Sequence, residues 1–533
     1  MEEVYPACRR MLDPKIWARI VQDCREDSRP DSIIKSIEQL GKDAKLPGFL
    51  RDLAKLEWAL YEVSNQKIEF PKKVDQLQVN PTLQLLQVSW SHLPSILKGT
   101  HGKSISPKDA GKEFVLLWRD SKSGHPRCKS ASDEDLLALK LVVERIDSRE
   151  AAAAGKVQVG AIDNALRRAV ARGILLSPPS RIRRNTSTYS STQLAEDKFI
   201  STSVFTLQWH ITQECDLRCK HCYDRSNRSD LSLEQGLALL DDLRTFCRER
   251  HVRGQVSFTG GNPLLHPYFL ELYQAASDRG MATAILGNPA SQAKIEEILE
   301  IARPVYFQVS LEGLRDHNDA IRGRGSYDRT IEFLKLLRQF RIPSKVMLTL
   351  TQANMDQVIR LGQLLQGLAD GFTFNRLSQV GEGAGIQAPS KAKYDEFLKE
   401  YMRASRENRI MGWKDNLINI VCLEKGIRAF GGCTGYGCGA AFNFISVLSD
   451  GEAHACRKFP SPIGNVLNQS LSDIYNSPQA ERYRSGPDEC NACSLRLICR
   501  GCLASTFSYG LDVFKDRDPY CFMDDNRNGD VFG

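Results

Sequence analysis

From about residue 200 onward the chain alternates two hydrophobic patterns. Short apolar stretches at 206–211, 255–258, 282–286, 305–311, 345–350 and 372–374 predict strands. Between them lie longer segments with apolar residues three and four apart, at 233–248, 268–279, 295–302 and 327–340, which predict amphipathic helices. Strands alternating with helices imply a parallel sheet with right-handed crossovers. Six such units make a partial (β/α)6 barrel in an α/β fold, with chemistry expected at the C-terminal ends of the strands.

The first part of the chain reads differently. Residues 1–112 form a mainly helical region: Asp13 precedes Pro14 at a helix start, Trp17, Ile20, Val21 and Cys24 share one face, and 33–40 and 49–63 repeat the helical period. Over 113–177 the pattern predicts a strand at 114–118, helices at 136–146, 151–154 and 162–171, and a closing strand at 173–176. The acidic run Asp133-Glu134-Asp135 suits a helix N-terminus. That order is a small winged-helix module, and it resembles the PqqD-like peptide-recognition domain of peptide-modifying systems. A structural cap and a nucleic-acid-binding winged helix share the pattern. Residues 178–196, rich in Pro, Ser, Thr and Arg, read as a linker. The barrel then spans 197–400, and a C-terminal domain 401–533.

Length and composition narrow the class. The 533 residues suggest three or four domains, and 42% hydrophobic with 26% charged residues excludes a fibrous or wholly disordered chain. No apolar run approaches the roughly 20 residues of a membrane helix, and the N-terminus lacks the layout of a secretory signal. A cytoplasmic protein with no membrane partner is expected. The net charge of +7 (72 basic against 65 acidic residues) includes the cluster Arg181, Arg183 and Arg184 and calls for no nucleic-acid partner. Cysteine changes the picture. Of sixteen, nine fall between Cys422 and Cys521, and three sit together at Cys215, Cys219 and Cys222. Clusters of this kind in a chain without a secretory signal point to zinc or iron–sulfur ligation.

The loop after the first barrel strand reads Cys215-Asp-Leu-Arg-Cys219-Lys-His-Cys222-Tyr223. Three thiolates leave one iron of a [4Fe–4S] cluster open to a small molecule; with His221 they could instead form a Cys3His zinc site. This CxxxCxxC loop resembles that of radical S-adenosylmethionine enzymes, and further motifs follow in the family's order. Thr259-Gly260-Gly261-Asn262-Pro263 resembles the GGEP element, whose backbone meets the methionine amino group, with Asn262 where Glu is usual. Two glycines suit close backbone approach to a ligand. Gly287-Asn288 stands where relatives carry Thr-Asn-Gly. Ser310-Leu-Glu-Gly313, His317-Asn-Asp319 and Ile321-Arg322-Gly323 resemble the SxDG, HD and RG elements of the peptide-modifying branch. The resemblance implies that Cys215, Cys219 and Cys222 hold the catalytic cluster. It also implies that His221, Tyr223, Gly260, Gly261, Asn262, Pro263, Asn288, Ser310 and Arg322 line the S-adenosylmethionine site. Ser310 and Arg322 would grip the methionine carboxylate, for which a guanidinium is suited.

Eight more cysteines run from Cys433 to Cys521, enough for two four-ligand sites. They resemble the SPASM extension, with two auxiliary [4Fe–4S] clusters. Its pattern assigns Cys433, Cys438, Cys456 and Cys502 to the first and Cys490, Cys493, Cys499 and Cys521 to the second. The short Cys499–Cys502 spacing leaves the partition of Cys502 open, and two zinc sites are the alternative. Cys8, Cys24, Cys128, Cys247 and Cys422 remain unassigned.

The resemblance implies three [4Fe–4S] clusters and S-adenosylmethionine, reductive cleavage to a 5′-deoxyadenosyl radical, and oxidation of a ribosomally made precursor peptide. A low-potential flavodoxin, ferredoxin or other reductase would supply electrons. Arg457 stands where sulfatase-maturating relatives carry a basic Asp, which counts against formylglycine formation. The long N-terminal region and the GGNP variant look most like selenobiotic-type maturases, which form thiooxazole or selenooxazole at Cys or selenocysteine. Thioether crosslinking and other radical side-chain oxidations of a peptide or protein are the alternatives within the class, and a non-catalytic iron–sulfur or zinc redox regulator with a winged-helix module the alternative outside it.

Overall fold

The computed structural model describes residues 3–24, 32–43, 46–97, 110–185 and 197–523. The chain divides after Pro179 into two units.

In the second unit the predicted alternation is realised. Strands β1 (Val204–Thr212), β2 (Arg253–Gly260), β3 (Ala282–Leu286), β4 (Phe307–Ser310), β5 (Ser344–Leu350) and β6 (Gly371–Arg376) pair in chain order, all parallel. The connecting helices include α1 (Leu233–Glu249), α2 (Phe269–Asp278), α3 (Gln292–Ile301), α4 (Arg315–Arg322), α5 (Ser326–Gln339) and α6 (Val358–Leu365). Ser232 and Gln235 close a capping box at the start of α1, satisfying amides the helix leaves free. Trp209, Phe258, Phe269 and Tyr273 stack at ring separations of 5.6–6.0 Å and fix α2 against the sheet. The sheet does not stop with the barrel. Strand β7 (Phe444–Val447) pairs parallel to the outer side of β1, and β8 (Glu452–His454) and β9 (Pro462–Asn465) follow antiparallel, giving nine strands. The expected boundary at 400/401 therefore cuts no independent sheet: the C-terminal segment continues the barrel's own.

The expected linker departs from its composition. Ile182 is fully buried with Phe199 and Ile200, and Arg183 bridges to Ser201. The buried Arg184 donates to the carbonyls of Tyr436 and Cys438 at 3.0 and 2.7 Å, with its guanidinium 3.8 Å over the Phe442 ring. Ile182 and Arg184 are thus part of the second unit's core, and one of the three clustered arginines is no surface charge. Residues 186–196 lie outside the described residues.

In the first unit the expected helices are present as Pro14–Asp23, Ser32–Asp43 and Leu50–Asn65. The boundary at 112/113 is corrected. Gln84–Trp90, within the region read as helical, pairs antiparallel with Ala110–Arg119, which pairs antiparallel with Pro126–Ser130. Helices Asp133–Val143, Ser148–Gly155 and Val159–Ala171 follow, and Leu175–Leu176 pairs with Gln78–Val79. The expected strand at 114–118 is the central strand of three. Its burial explains this: Val115, Leu116 and Leu117 are all fully buried, as a strand enclosed on both faces requires.

Asp135 anchors this module. Its buried carboxylate accepts from Arg172 at 2.7 Å, from Ser132 and from Lys129. Burial works to raise it, yet the Lys129 and Ser132 bonds outweigh burial and hold it at about 2. A lowered carboxyl contributes stability above its unfolded value near pH 4 and loses it as pH falls toward 2. Asp135→Asn should cost about 1–3 kcal/mol at pH 7, read as lost hydrogen-exchange protection over Asp133–Val143. The gap from wild type should narrow as pH drops from about 4 toward about 2.

Candidate active site and cluster pockets

The C-terminal ends of β1 to β6 surround a cavity of about 510 Å³. Cys215, Cys219 and Cys222 line it from the loop after β1, together with His221, Tyr223, Gly260, Gly261, Asn288, Ser310 and Arg322. Ten of the twelve residues expected at the site, the three thiols among them, are thus brought to one place. Asn262 and Pro263 are not among the lining residues. Asn262 Nδ2 donates to Asp216 Oδ1 at 2.9 Å and its Oδ1 caps the turn at Leu264; Pro263 is buried at the start of that turn. Both residues thus sit in the turn that carries the glycine pair, beside the thiol loop.

The glycine pair also answers to another neighbour than a ligand. Gly260 adopts φ +130°, and a Cβ there would lie 2.3 Å from the Thr212 carbonyl oxygen. A Cβ on Gly261 would lie 2.1 Å from that of Glu214. The backbone of this turn hydrogen-bonds to the root of the cysteine loop, Gly261 N to Thr212 O at 2.9 Å and Asn262 N to Glu214 O at 2.7 Å. The glycines therefore hold the thiol loop against the end of β2, a close approach only glycine permits.

Glu312, inside the Ser310–Gly313 motif but given no role there, organises the opposite wall. Its Oε1 accepts from Arg322 at 3.1 Å and faces His221 Nε2 at 3.0 Å, while Oε2 accepts the Thr349 amide at 2.8 Å. Burial works to raise this carboxyl, but His221 and Arg322 outweigh it and hold it at about 2. Arg322 also donates to Asn288 Oδ1 at 3.1 Å, and Asn288 Nδ2 reaches Asp216 Oδ1 at 2.7 Å and Cys215 Sγ at 3.5 Å. A polar chain thus runs from Glu312 to the thiol loop. On the far side, Tyr223 Oη lies 3.3 Å from His210 Nε2, and burial, with Arg457 nearby, pulls His210 down to about 3, a neutral ring.

Two further pockets lie in the C-terminal segment. One of about 70 Å³ is lined by Cys433, Cys438, Cys456 and Cys502, and another by Cys490, Cys493, Cys499 and Cys521. Cys502 falls with the first set. Cys422 is buried on its own helix, Ile418–Glu424, and lines neither. Among the described residues no three His, Cys, Asp or Glu side chains close on a single ion; a cubane's separated iron corners call for thiols set wider apart. The donor sets, three thiols in one cavity and four in each of two others, fit [4Fe–4S] clusters. Burial pushes Cys219 up to about 11 and Cys456 and Cys490 to about 12, so ligation as thiolates would release protons. Burial pulls Lys414, beside Cys433, down to about 8; an anionic group in that pocket works the other way.

Residues 209–365 match the Radical SAM superfamily, and residues 438–502 match SPASM, an iron–sulfur cluster-binding domain. Cys433 and Cys521 fall outside the second match. Among curated relatives, the AdoMet-dependent heme synthase of Methanosarcina barkeri (strain Fusaro / DSM 804) is 24% identical over 336 residues, covering 59% of this chain and 95% of its own. The antilisterial bacteriocin subtilosin biosynthesis protein AlbA of Bacillus subtilis (strain 168) is 26% identical, covering 55% of this chain and 66% of its own. The mycofactocin maturase MftC of Mycolicibacterium smegmatis (strain ATCC 700084 / mc(2)155) is 28% identical, covering 59% and 82%. The crystal structure of Streptococcus suis SuiB bound to S-adenosylmethionine is 17% identical, covering 77% of this chain and 96% of its own, with a TM-score of 0.49. The chain carries a radical SAM domain followed by a SPASM domain. These domains imply [4Fe–4S] clusters and S-adenosylmethionine as cofactors.

If the glycine pair seats the thiol loop, Gly261→Ala should displace that loop and spare the other two pockets. Anaerobically reconstituted protein should lose the iron that this loop holds, about four ions for a [4Fe–4S] cluster. Full iron in the variant would defeat the seating role of the glycine pair.

Proposed function

We propose that this radical SAM and SPASM-domain protein is an oxidoreductase that modifies a ribosomally made precursor peptide. The observation carrying the reading is the partition of eleven thiols into three pockets, with the three-thiol set at the strand ends beside Asn288, Ser310 and Arg322. Cys215, Cys219 and Cys222 would hold the catalytic cluster, and the two four-thiol sets the auxiliary ones. Cluster and S-adenosylmethionine together supply a 5′-deoxyadenosyl radical able to remove an unactivated hydrogen. The chain's own part is binding and orientation. Gly260 and Gly261 present backbone to the cavity, Ser310 and the N–H groups of Arg322 not engaged by Glu312 and Asn288 receive a carboxylate, and Glu312 keeps Arg322 in place.

A peptide substrate is favoured by two relatives, one named for biosynthesis of the bacteriocin subtilosin (AlbA) and one as a mycofactocin maturase (MftC), and by the first unit's three-stranded sheet followed by three helices. A precursor could add a strand to either outer strand of that sheet, Gln84–Trp90 or Pro126–Ser130. Anchoring there would raise the effective concentration of the reacting segment. Thiooxazole or selenooxazole formation at Cys or selenocysteine is the product type we favour. Electrons would come from a flavodoxin, ferredoxin or other low-potential reductase, and a cytoplasmic location suits such a donor. Among the described residues no helix is long and apolar enough to cross a membrane.

Replacing Cys215, Cys219 and Cys222 together by Ala should leave about eight irons and abolish release of methionine and 5′-deoxyadenosine under reducing, anaerobic conditions; a triple variant that still cleaves the cofactor would defeat the reading. Removing residues 1–179 should spare cleavage while weakening precursor binding. Unchanged precursor affinity with full iron would sink the anchoring role.

A further inference from the structure

The first auxiliary pocket holds more positive charge than its neighbours balance. Arg376, Lys414 and Lys458 line it, with Asp415 as the acid. Arg376 is 1% exposed and already saturated: Nε meets Asp415 at 2.8 Å, and its two terminal nitrogens meet the Asp518 carboxylate at 2.8 and 2.6 Å. That trio is itself net negative. Among the described residues no carboxylate pairs with either lysine. Lys458 Nζ donates to the Arg376 carbonyl at 2.9 Å. Arg457, Lys458 and Lys345 add positive charge near Lys414, and the Cys433 thiol and Asp415 lie in the same pocket. Both lysines are half-buried, and an ammonium taken partly out of water without a paired carboxylate is costly. An oxidised cubane bound by four thiolates is a dianion, and its one-electron-reduced form a trianion.

We propose that Lys414 and Lys458 are the counter-ions of the first auxiliary cluster and that their charges raise its reduction potential. The inference rests on the reading of Cys433, Cys438, Cys456 and Cys502 as that cluster's ligands. Each cation stabilises the trianion more than the dianion, and the low dielectric of a buried site magnifies the difference. Lys458, with Asn375 and Arg376, lines both this pocket and the radical cavity. Its charge therefore stands in their shared wall. It would make the cluster a better acceptor for an electron released from a substrate radical, the cluster core gaining one electron as the radical loses one.

The test is an EPR-monitored redox titration of full-length, anaerobically reconstituted protein. A Cys456→Ala variant identifies the first auxiliary signal by removing it. Lys414→Met and Lys458→Met keep side-chain length without charge; the corresponding Arg variants keep the charge. At the wild-type midpoint each Met variant should show the reduced-to-oxidised ratio of that signal falling about tenfold, equivalent to about 59 mV. The Arg variants should stay near wild type. Met variants that load the cluster with an unmoved midpoint overturn the proposal. Met variants that fail to load while the Arg variants load support it, and failure of both overturns it. If Cys456→Ala removes no signal, the ligand assignment itself fails and the inference goes with it.

Discussion

The buried Arg376 guanidinium and its two carboxylates hold the chemistry-bearing segments to one another. Arg376 ends β6, at the mouth of the radical cavity. Asp415 accepts from it, from Tyr394 Oη at 2.9 Å and from the Leu417 amide at 2.9 Å, fixing the start of the segment that leads to Cys433. Asp518 accepts from it twice and also from the Cys502 amide at 2.7 Å, three residues before Cys521. Removing one partner from such a fully desolvated set leaves a buried charge uncompensated, worth about 3–5 kcal/mol. The same groups stand beside all three thiol pockets, so a single ion network registers β6, the first auxiliary pocket and the second.

The barrel was legible because each element carries its own period. Strands buried on both faces and helices covering them leave little freedom, and the predicted and observed ends agree within a few residues. The thiol sets were legible for a different reason: ligands to one centre must recur, and recurrence is visible in spacing. Glu312, Asp216, Lys414 and Asp518 show no such recurrence. Each is one polar residue whose role depends on what the fold sets opposite it, and nothing in its sequence neighbourhood announces that. Glu312 and Asp216 stood inside motifs, and for Glu312 the family's acidic position offered a signal.

Errors had the same origin. Gln84–Trp90 interleaves Gln and Ser with apolar residues too irregularly for a clean strand alternation, and only its partner Ala110–Arg119 fixes it. The segment 180–185 is polar in composition, but Arg184 finds carbonyls and an aromatic face, and Ile182 a core, at positions far along the chain. Composition describes a segment in isolation, whereas docking depends on a complementary surface elsewhere. For Gly260 and Gly261 the residue type was right and the reason was incomplete: the backbone they admit belongs to the thiol loop.

The two kinds of cluster site differ in how they must be assembled. The three-thiol loop needs only an eight-residue turn held by the glycine pair, a local arrangement available once β1 and β2 have paired. The first auxiliary set draws on Cys433 and Cys502 across nearly seventy residues, and the second on Cys490 and Cys521. Closing such loops carries an entropic cost that grows slowly with length, and the thiols, raised by burial, must also give up protons to bind. The parallel pairing of β7 with β1 lowers that cost by tying the segment between Cys438 and Cys456 to the barrel. The barrel thereby acts as the template on which the C-terminal thiols converge, which accounts for a shared sheet where the motifs alone suggest two separate domains.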